Sequence, residues 1–275
     1  MWLREGGFEK VLHVTPLALT ILLFGVLGLS EWTRARRQER FVVTAQELRQ
    51  LAWPSWCTEA MARRIAESLP FEPQYYSTDR NATARIAAAY KQSSWVRRVH
   101  YVRKAYPNRI AAAVELRQPV LAVPFATQYY LVDRDGVRLP VQYPRWPVDE
   151  VQVPVLTGIR PGPPPAHGVW QDAAVLDALA VLAAVEQCDE IASIRITEVD
   201  LSNLHGRIDP RQSEIVLVTD TQSRILWGRS PRTAAFGEHP VEEKVSKLGE
   251  LLRQNPRPRR VDLIIRFADG GVVPN

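Results

Sequence analysis

WVRRVHYVRKAYPNRIAAAVELRQPVLAV, residues 95–123, holds two strand-like runs around one turn. The runs are Trp95 to Ala105 and Arg109 to Val123, and Tyr106-Pro107-Asn108 joins them. Pro107 presets φ and Asn108 bonds its own backbone, which is turn chemistry. Working backwards, a helix starts near Asp79 and buries Ala82, Ile86 and Ala89 or Tyr90. An earlier helix runs from about Thr58, with Met61, Ile65 and Leu69 recurring every fourth position and arginines opposite. Pro70 and Pro73 stop it. Arg40 to Leu51 reads as a strand leading into a turn at Trp53-Pro54. The order strand, helix, helix, strand, strand predicts a small α+β domain, with two helices on one face of a three-stranded sheet.

Forward of residue 123 the periodicity changes several times. A proline-rich passage runs from Pro140 through Pro165, after which Asp172 caps a helix whose Leu176, Leu179, Leu182 and Val185 share a face. Ser193 to Leu201 alternates as a strand, and Glu214 to Val218 with Arg224 to Trp227 reads as a hairpin through Asp220-Thr221-Gln222-Ser223. Pro240 suits the first position of another helix, followed by Glu242 and Glu243 where the helix dipole favours acids. Val245, Leu248 and Leu252 form its buried stripe, and Pro256 and Pro258 end it. Val261, Leu263, Ile265 and Phe267 alternate as a last strand into Asp269-Gly270-Gly271.

At the other end, VLHVTPLALTILLFGVLGL (Val11 to Leu29) carries no charge, and twelve of its positions are Leu, Ile, Val or Phe. A helix needs about twenty apolar residues to cross the hydrocarbon layer. The twelve contribute about 4–7 kcal/mol towards insertion, less near the ends. The run is apolar all round, unlike the helix of a soluble domain. It is also too long, and too poor in small residues at Gly28 to Trp32, for a cleaved signal. Arg34, Arg36, Arg37 and Arg40 follow the span, whereas Arg4 and Lys10 precede it. The positive-inside rule alone would place the bulk of the chain in the cytoplasm.

Composition bounds the rest. The 275 residues carry a formal charge of +5, from scattered arginines. Near a bilayer such a surface attracts anionic headgroups, and no nucleic-acid module is visible. Cys57 and Cys188 lie far apart, so the redox compartment is not legible. His13, His100, His167, His205 and His239 are isolated from one another and from metal-ligand spacing. There is no G-x-S-x-G elbow and no glycine-rich phosphate loop. Asp133 with Asp135, and Glu242 with Glu243, fall in a turn and a helix start, where local structure accounts for them. No catalytic residue, metal, cofactor or small-molecule substrate is read, and the chain is expected not to be an enzyme.

Five segments in order carry a family likeness. The order of elements in the first domain is that of a POTRA module. Trp95-Val96-Arg97-Arg98-Val99, Val102 to Asn108 and Glu115-Leu116-Arg117-Gln118-Pro119-Val120 resemble its FtsQ/DivIB version. Tyr129 to Val137 resembles the family's Y-L-V-D-x-x-G strand and turn, and Pro154-Val155-Leu156-Thr157-Gly158 its L-P-x-L-x-G segment. Near its end the family's acid-leucine-arginine-aromatic run appears as Ile264-Ile265-Arg266-Phe267, with the acid displaced to Asp262.

The resemblance implies an α+β chain: a cytoplasmic tail over residues 1–10, a transmembrane helix over 11–30, a POTRA domain over 40–124 and a β-domain over 125–275. It implies a single-pass scaffold of the cell division machinery in the cell inner membrane, with its bulk outside the cytoplasm at the septum. Its partners would be bitopic coiled-coil division proteins and septal peptidoglycan synthesis proteins, besides membrane lipid. Arg266, Phe267, Val272 and Val273 are the candidate contacts at the last strand, and Arg103 and Lys104 those of the POTRA hairpin. Two other readings are a POTRA-bearing component of a transport or secretion assembly and a membrane-anchored extracytoplasmic enzyme.

Overall fold

A computed structural model describes residues 41–105, 107–233, 237–267 and 270–274. The apolar run Val11 to Leu29 lies outside the described residues, as do Arg40 and Tyr106. Within them no helix is long and apolar enough to cross a membrane. The described residues divide into two compact units, one of residues 41–52 and 66–115, the other of residues 53–65 and those from 116 on.

The first unit opens with β1 (Val42–Thr44), which runs straight into α1 (Ala45–Leu48). Here the expected strand Arg40 to Leu51 is corrected. Thr44 accepts from the Glu47 amide while the Glu47 carboxylate accepts from the Thr44 amide, a capping box that starts a helix where alternation suggested a strand. Next in the chain is α2 (Glu59–Ser68), whose residues up to Ile65 belong to the second unit; its Met61 amide bonds the Thr58 hydroxyl, and Met61, Ile65 and Leu69 are buried as the spacing required. An unforeseen strand, β2 (Gln74–Tyr76), pairs antiparallel with β1. Next, α3 (Ala82–Gln92) buries Ala82, Ile86, Ala89 and Tyr90. Tyr90 also donates its hydroxyl to the Leu48 carbonyl at 2.8 Å. The hairpin follows as β3 (Val96–Ala105) and β4 (Arg109–Leu116). Strands β1 and β2 form one two-stranded ladder, and β3 and β4 another, in place of the expected three-stranded sheet.

The predicted strand Arg109 to Val123 is two strands. β4 stops at Leu116, and β5 (Pro119–Phe125) belongs to a different sheet. Pro119 has no N–H to donate and biases Gln118 before it, so the ladder breaks there. β6 (Gln128–Asp133) and β7 (Arg138–Tyr143) complete a meander with β5. The Y-L-V-D-x-x-G likeness has a physical basis in its turn. Asp133, 1 % exposed, accepts from the amides of Asp135 and Val137 and from Arg117, and Gly136 takes φ +77°. β8 (Val155–Thr157) then ends at Gly158, with φ +80°. A Cβ there would lie 2.2 Å from the Ser202 amide nitrogen, so only glycine fits.

The Asp172 carboxylate accepts from the Ala174 amide to cap α4 (Ala173–Val185), which buries residues on nearly every side rather than on one stripe. Its Asp177 is nonetheless buried, paired with Arg232. β9 (Ile196–Asp200) precedes the hairpin of β10 (Ile215–Thr219) and β11 (Arg224–Gly228). After it, α5 (Val241–Gln254) carries the chain over to β12 (Val261–Ile264), which lies parallel to β11. β13 (Val272–Pro274) closes the order β13-β12-β11-β10-β9-β8-β5-β6-β7.

Burial in this nine-stranded sheet alternates. Leu156, Val199, Leu217, Ile225 and Leu263 form one core with Val175, Leu179 and Leu182 of α4 and Leu248 and Leu252 of α5. Val216, Val218, Leu226 and Ile264 point to the other face and are half-buried. The period-2 pleat thus gives a helix-covered face and an open one.

Candidate partner-binding site

The expected last strand, Val261 to Phe267, is shorter than its alternation suggested, because β12 ends at Ile264. Ile265 still reaches the core, but the chain turns back at Arg266 and Phe267. The Ile264 amide bonds the Gly271 carbonyl at 2.8 Å, and the returning β13 pairs antiparallel with β12. So β12 is not an edge: β11 flanks it on one side and β13 on the other. Among the described residues one edge of the sheet is β7, and the other is β13. Its Val272 and Val273 are 47 % and 46 % exposed, and Phe267 beside the return is 39 % exposed. An apolar strand with an unpaired edge is a surface that proteins either protect or use for strand addition.

Arg266 has a different setting from its neighbour. Its side chain is only 12 % exposed, and it donates to the Arg211 carbonyl at 3.0 Å. Its guanidinium lies 3.7 Å from Glu238 and stacks 4.2 Å from the Phe267 ring centroid. Glu238 also holds the Lys244 ammonium at 2.8 Å and accepts from the Arg229 amide. Lys244 in turn sits over the Trp227 ring. Burial pushes the Lys244 pKa down, and the Glu238 carboxylate counters this. This internal charge network fixes the turn that presents Phe267, so Arg266 shapes the site more than it faces outward. Glu238 carries no sequence signal of this role, since its two cationic partners lie at chain separations that no motif encodes.

The Arg211 carbonyl belongs to a loop that the sequence left unassigned. Asn203 organises it, accepting from the amides of Ile208 and Asp209 while its own amide reaches the Asp209 and Ser213 carbonyls. The loop presents Ile208, 68 % exposed. These four hydrogen bonds of one asparagine are not visible in a string of polar residues.

In the other unit, the two candidate cations at the hairpin also diverge. Arg103 is exposed and lies 5.0 Å from the Tyr101 ring centroid. Lys104 is half-buried and donates to the Asp79 carbonyl. The Ser77 hydroxyl reaches the Pro107 carbonyl, so the base of this turn is tied to the segment before α3.

No family model matches the chain. Among curated proteins it is similar to "Cell division protein FtsQ" of Mycobacteroides abscessus, with 31 % identity over 174 residues. That stretch is 62 % of this chain and 46 % of the relative, so the chain spans about half the length of the curated protein it matches. The likeness carried by the five ordered segments is therefore matched by a curated relative: over most of its length the chain is similar to an FtsQ-type cell division protein.

Proposed function

We propose that this chain is a non-enzymatic, single-pass scaffold of the cell division machinery that joins other division proteins through the β13 edge. The observation that carries the site is the exposure of Val272 and Val273 on the end strand β13, whose outer edge has no neighbouring strand among the described residues, with Phe267 exposed beside the return that leads to it. The similarity to an FtsQ supports the cellular role, and the uncharged run Val11 to Leu29 supports the anchor. In this reading the unit that carries β1 to β4 acts as the POTRA domain and the one that carries the nine-stranded sheet as the β-domain, outside the cytoplasm at the septum. Partners of coiled-coil type add a strand or an apolar helix face to β13, and septal peptidoglycan synthesis proteins are reached through them.

The test has two arms. A reporter active only outside the cytoplasm, fused after Asn275, should be active; a signal only in the cytoplasm would overturn the topology in favour of the Arg34–Arg40 cluster. A photo-crosslinking residue at Val272 should capture a bitopic division protein in dividing cells, and Phe267→Ala with Val273→Asp should abolish the capture without lowering the melting temperature. Undiminished capture would move the interface off β13.

A further inference from the structure

Well away from the β13 edge, the β5–β6 turn, the β7–β8 loop and the start of β9 enclose a groove of about 1230 Å³. Pockets for small ligands span roughly 300–1,000 Å³, so this one has room for a chain segment. One wall is aromatic: the Tyr129 and Trp146 rings stack with centroids 6.0 Å apart and planes at 28°. Tyr143 meets Trp146 edge-on and is itself fixed, donating to Glu150 at 2.8 Å, with Glu150 held by Arg64. The wall is therefore preorganised.

The lining also carries three cations, Arg160, Arg195 and Arg207. Arg195 donates to the Gln152 side chain, and Arg207 to the Gly158 and Ser202 carbonyls. All of these acceptors are neutral. Among the described residues none of the three guanidiniums forms an ion pair with a carboxylate. In the same unit Arg117, Arg224, Arg229 and Arg232 each hold one. Two carboxylates line the groove: Glu198, half-buried, accepts from the Thr157 hydroxyl, and Asp149 is exposed. The three exposed guanidiniums thus outnumber the two carboxylates along this concave surface and are paired with neither.

We infer that this groove binds an extended, acidic, proline-containing peptide segment of another protein, the prolines against Tyr129 and Trp146 and the carboxylates along Arg160, Arg195 and Arg207. Aromatic-lined grooves take extended proline-rich chains because the backbone is already ordered and the rings cover its flat faces. Guanidiniums hydrogen-bonded only to neutral groups keep donors for bidentate contact with carboxylates. The occupant is distinct from whatever docks at β13, which lies at one end of the sheet while β8 lies in its interior.

The test titrates the full chain in mild detergent with a fluorescein-labelled twelve-residue peptide of repeating Glu-Pro-Leu, reading polarisation. A Lys-Pro-Leu peptide and a hyaluronate hexasaccharide serve as competitors. The acidic peptide should bind at least about tenfold more tightly than the basic one, and its affinity should fall steeply with salt. Arg160→Ala with Arg195→Ala, and separately Trp146→Ala, should each weaken it about fivefold or more, with Trp146→Phe restoring part of the loss. The arginines are exposed, so their variant stays folded, and the comparison within one chain removes any contribution of Arg34 to Arg40. Equal binding of both peptides, tighter binding of the hexasaccharide, no binding up to about 1 mM, or variants that bind undiminished would each overturn the inference.

Discussion

The ten residues of β3 and eight of β4 make the longest strand pair in the chain, yet β3 buries only Val96 and β4 buries nothing fully. The five residues of β10 bury Ile215, Leu217 and Thr219. In the hairpin, pairing is a matter of backbone and turn, with side chains half in water. In the nine-stranded sheet the strands β8 to β12 are defined by what lies above them, α4 and α5. The same contrast holds for the charged candidates. Arg103 on the hairpin touches one tyrosine ring, whereas Arg266 is part of a network with Glu238 and Lys244. A cation near a strand end therefore has two physical meanings, and only burial separates them.

The sharpest way to break this contrast is Glu238→Ala. It strips the counter-charge from the buried Lys244 and from Arg266, and removing one member of a buried pair costs about 3–5 kcal/mol. Urea unfolding should show the loss; a change under about 1 kcal/mol would mean that water reaches this network. Next is Leu217→Ala at a fully buried position, expected to cost about 2–5 kcal/mol by the same measurement. A cost as small as that of a hairpin residue would erase the distinction between the two kinds of strand.

Tyr90 sharpens the picture in the smaller unit. Burial, with Tyr75 nearby, pushes its pKa from the ordinary value of 10.0 up to about 12. The folded chain holds this proton more tightly than the unfolded one, so the stabilisation is complete below pH 10.0 and is lost as pH rises towards about 12. Tyr90→Phe should flatten that part of the stability–pH curve. It should also cost about 1 kcal/mol at neutral pH by removing the hydroxyl's bond to Leu48. An unchanged alkaline curve would show that another group carries it. The smallest effect is Arg103→Glu, which should alter stability by no more than about 0.5 kcal/mol. A larger loss would put this exposed residue among the structural ones.

Periodic stripes carried most of what the sequence could tell. Met61, Ile65 and Leu69, or Ala82, Ile86 and Tyr90, are local repeats, and local repeats survive into the fold because one helix face meets one core. The hairpin through Asp220 to Ser223 was legible for the same reason. What failed was either a local signal passed over or a pairing with a partner distant in the chain. β1 became three residues because Thr44 and Glu47 cap a helix, a signal present in Thr-Ala-Gln-Glu but outweighed by the alternation around it. β2 was hidden in Gln74-Tyr75-Tyr76 because its only warrant is pairing with β1. Arg109 to Val123 was split by Pro119, whose missing N–H was in plain sight. At the candidate site, Phe267, Val272 and Val273 were readable as apolar residues near a strand. That β13 folds back over β12, and that Arg266 faces Glu238, follows from tertiary packing alone.

The parallel pairing of β11 with β12 has a kinetic corollary. β10 and β11 close through a turn of four residues, 220–223, while β11 and β12 meet only after the chain has travelled through α5. Closing the longer path must be entropically funded before its contacts form, and non-local parallel pairing is slow. β13 pairs only with β12, and such a two-stranded hairpin is marginal in water until β12 has docked on β11. The edge bearing Val272 and Val273 is thus among the last surfaces to exist during folding. A half-folded molecule has nothing to offer there, so recruitment through β13 would select for finished copies.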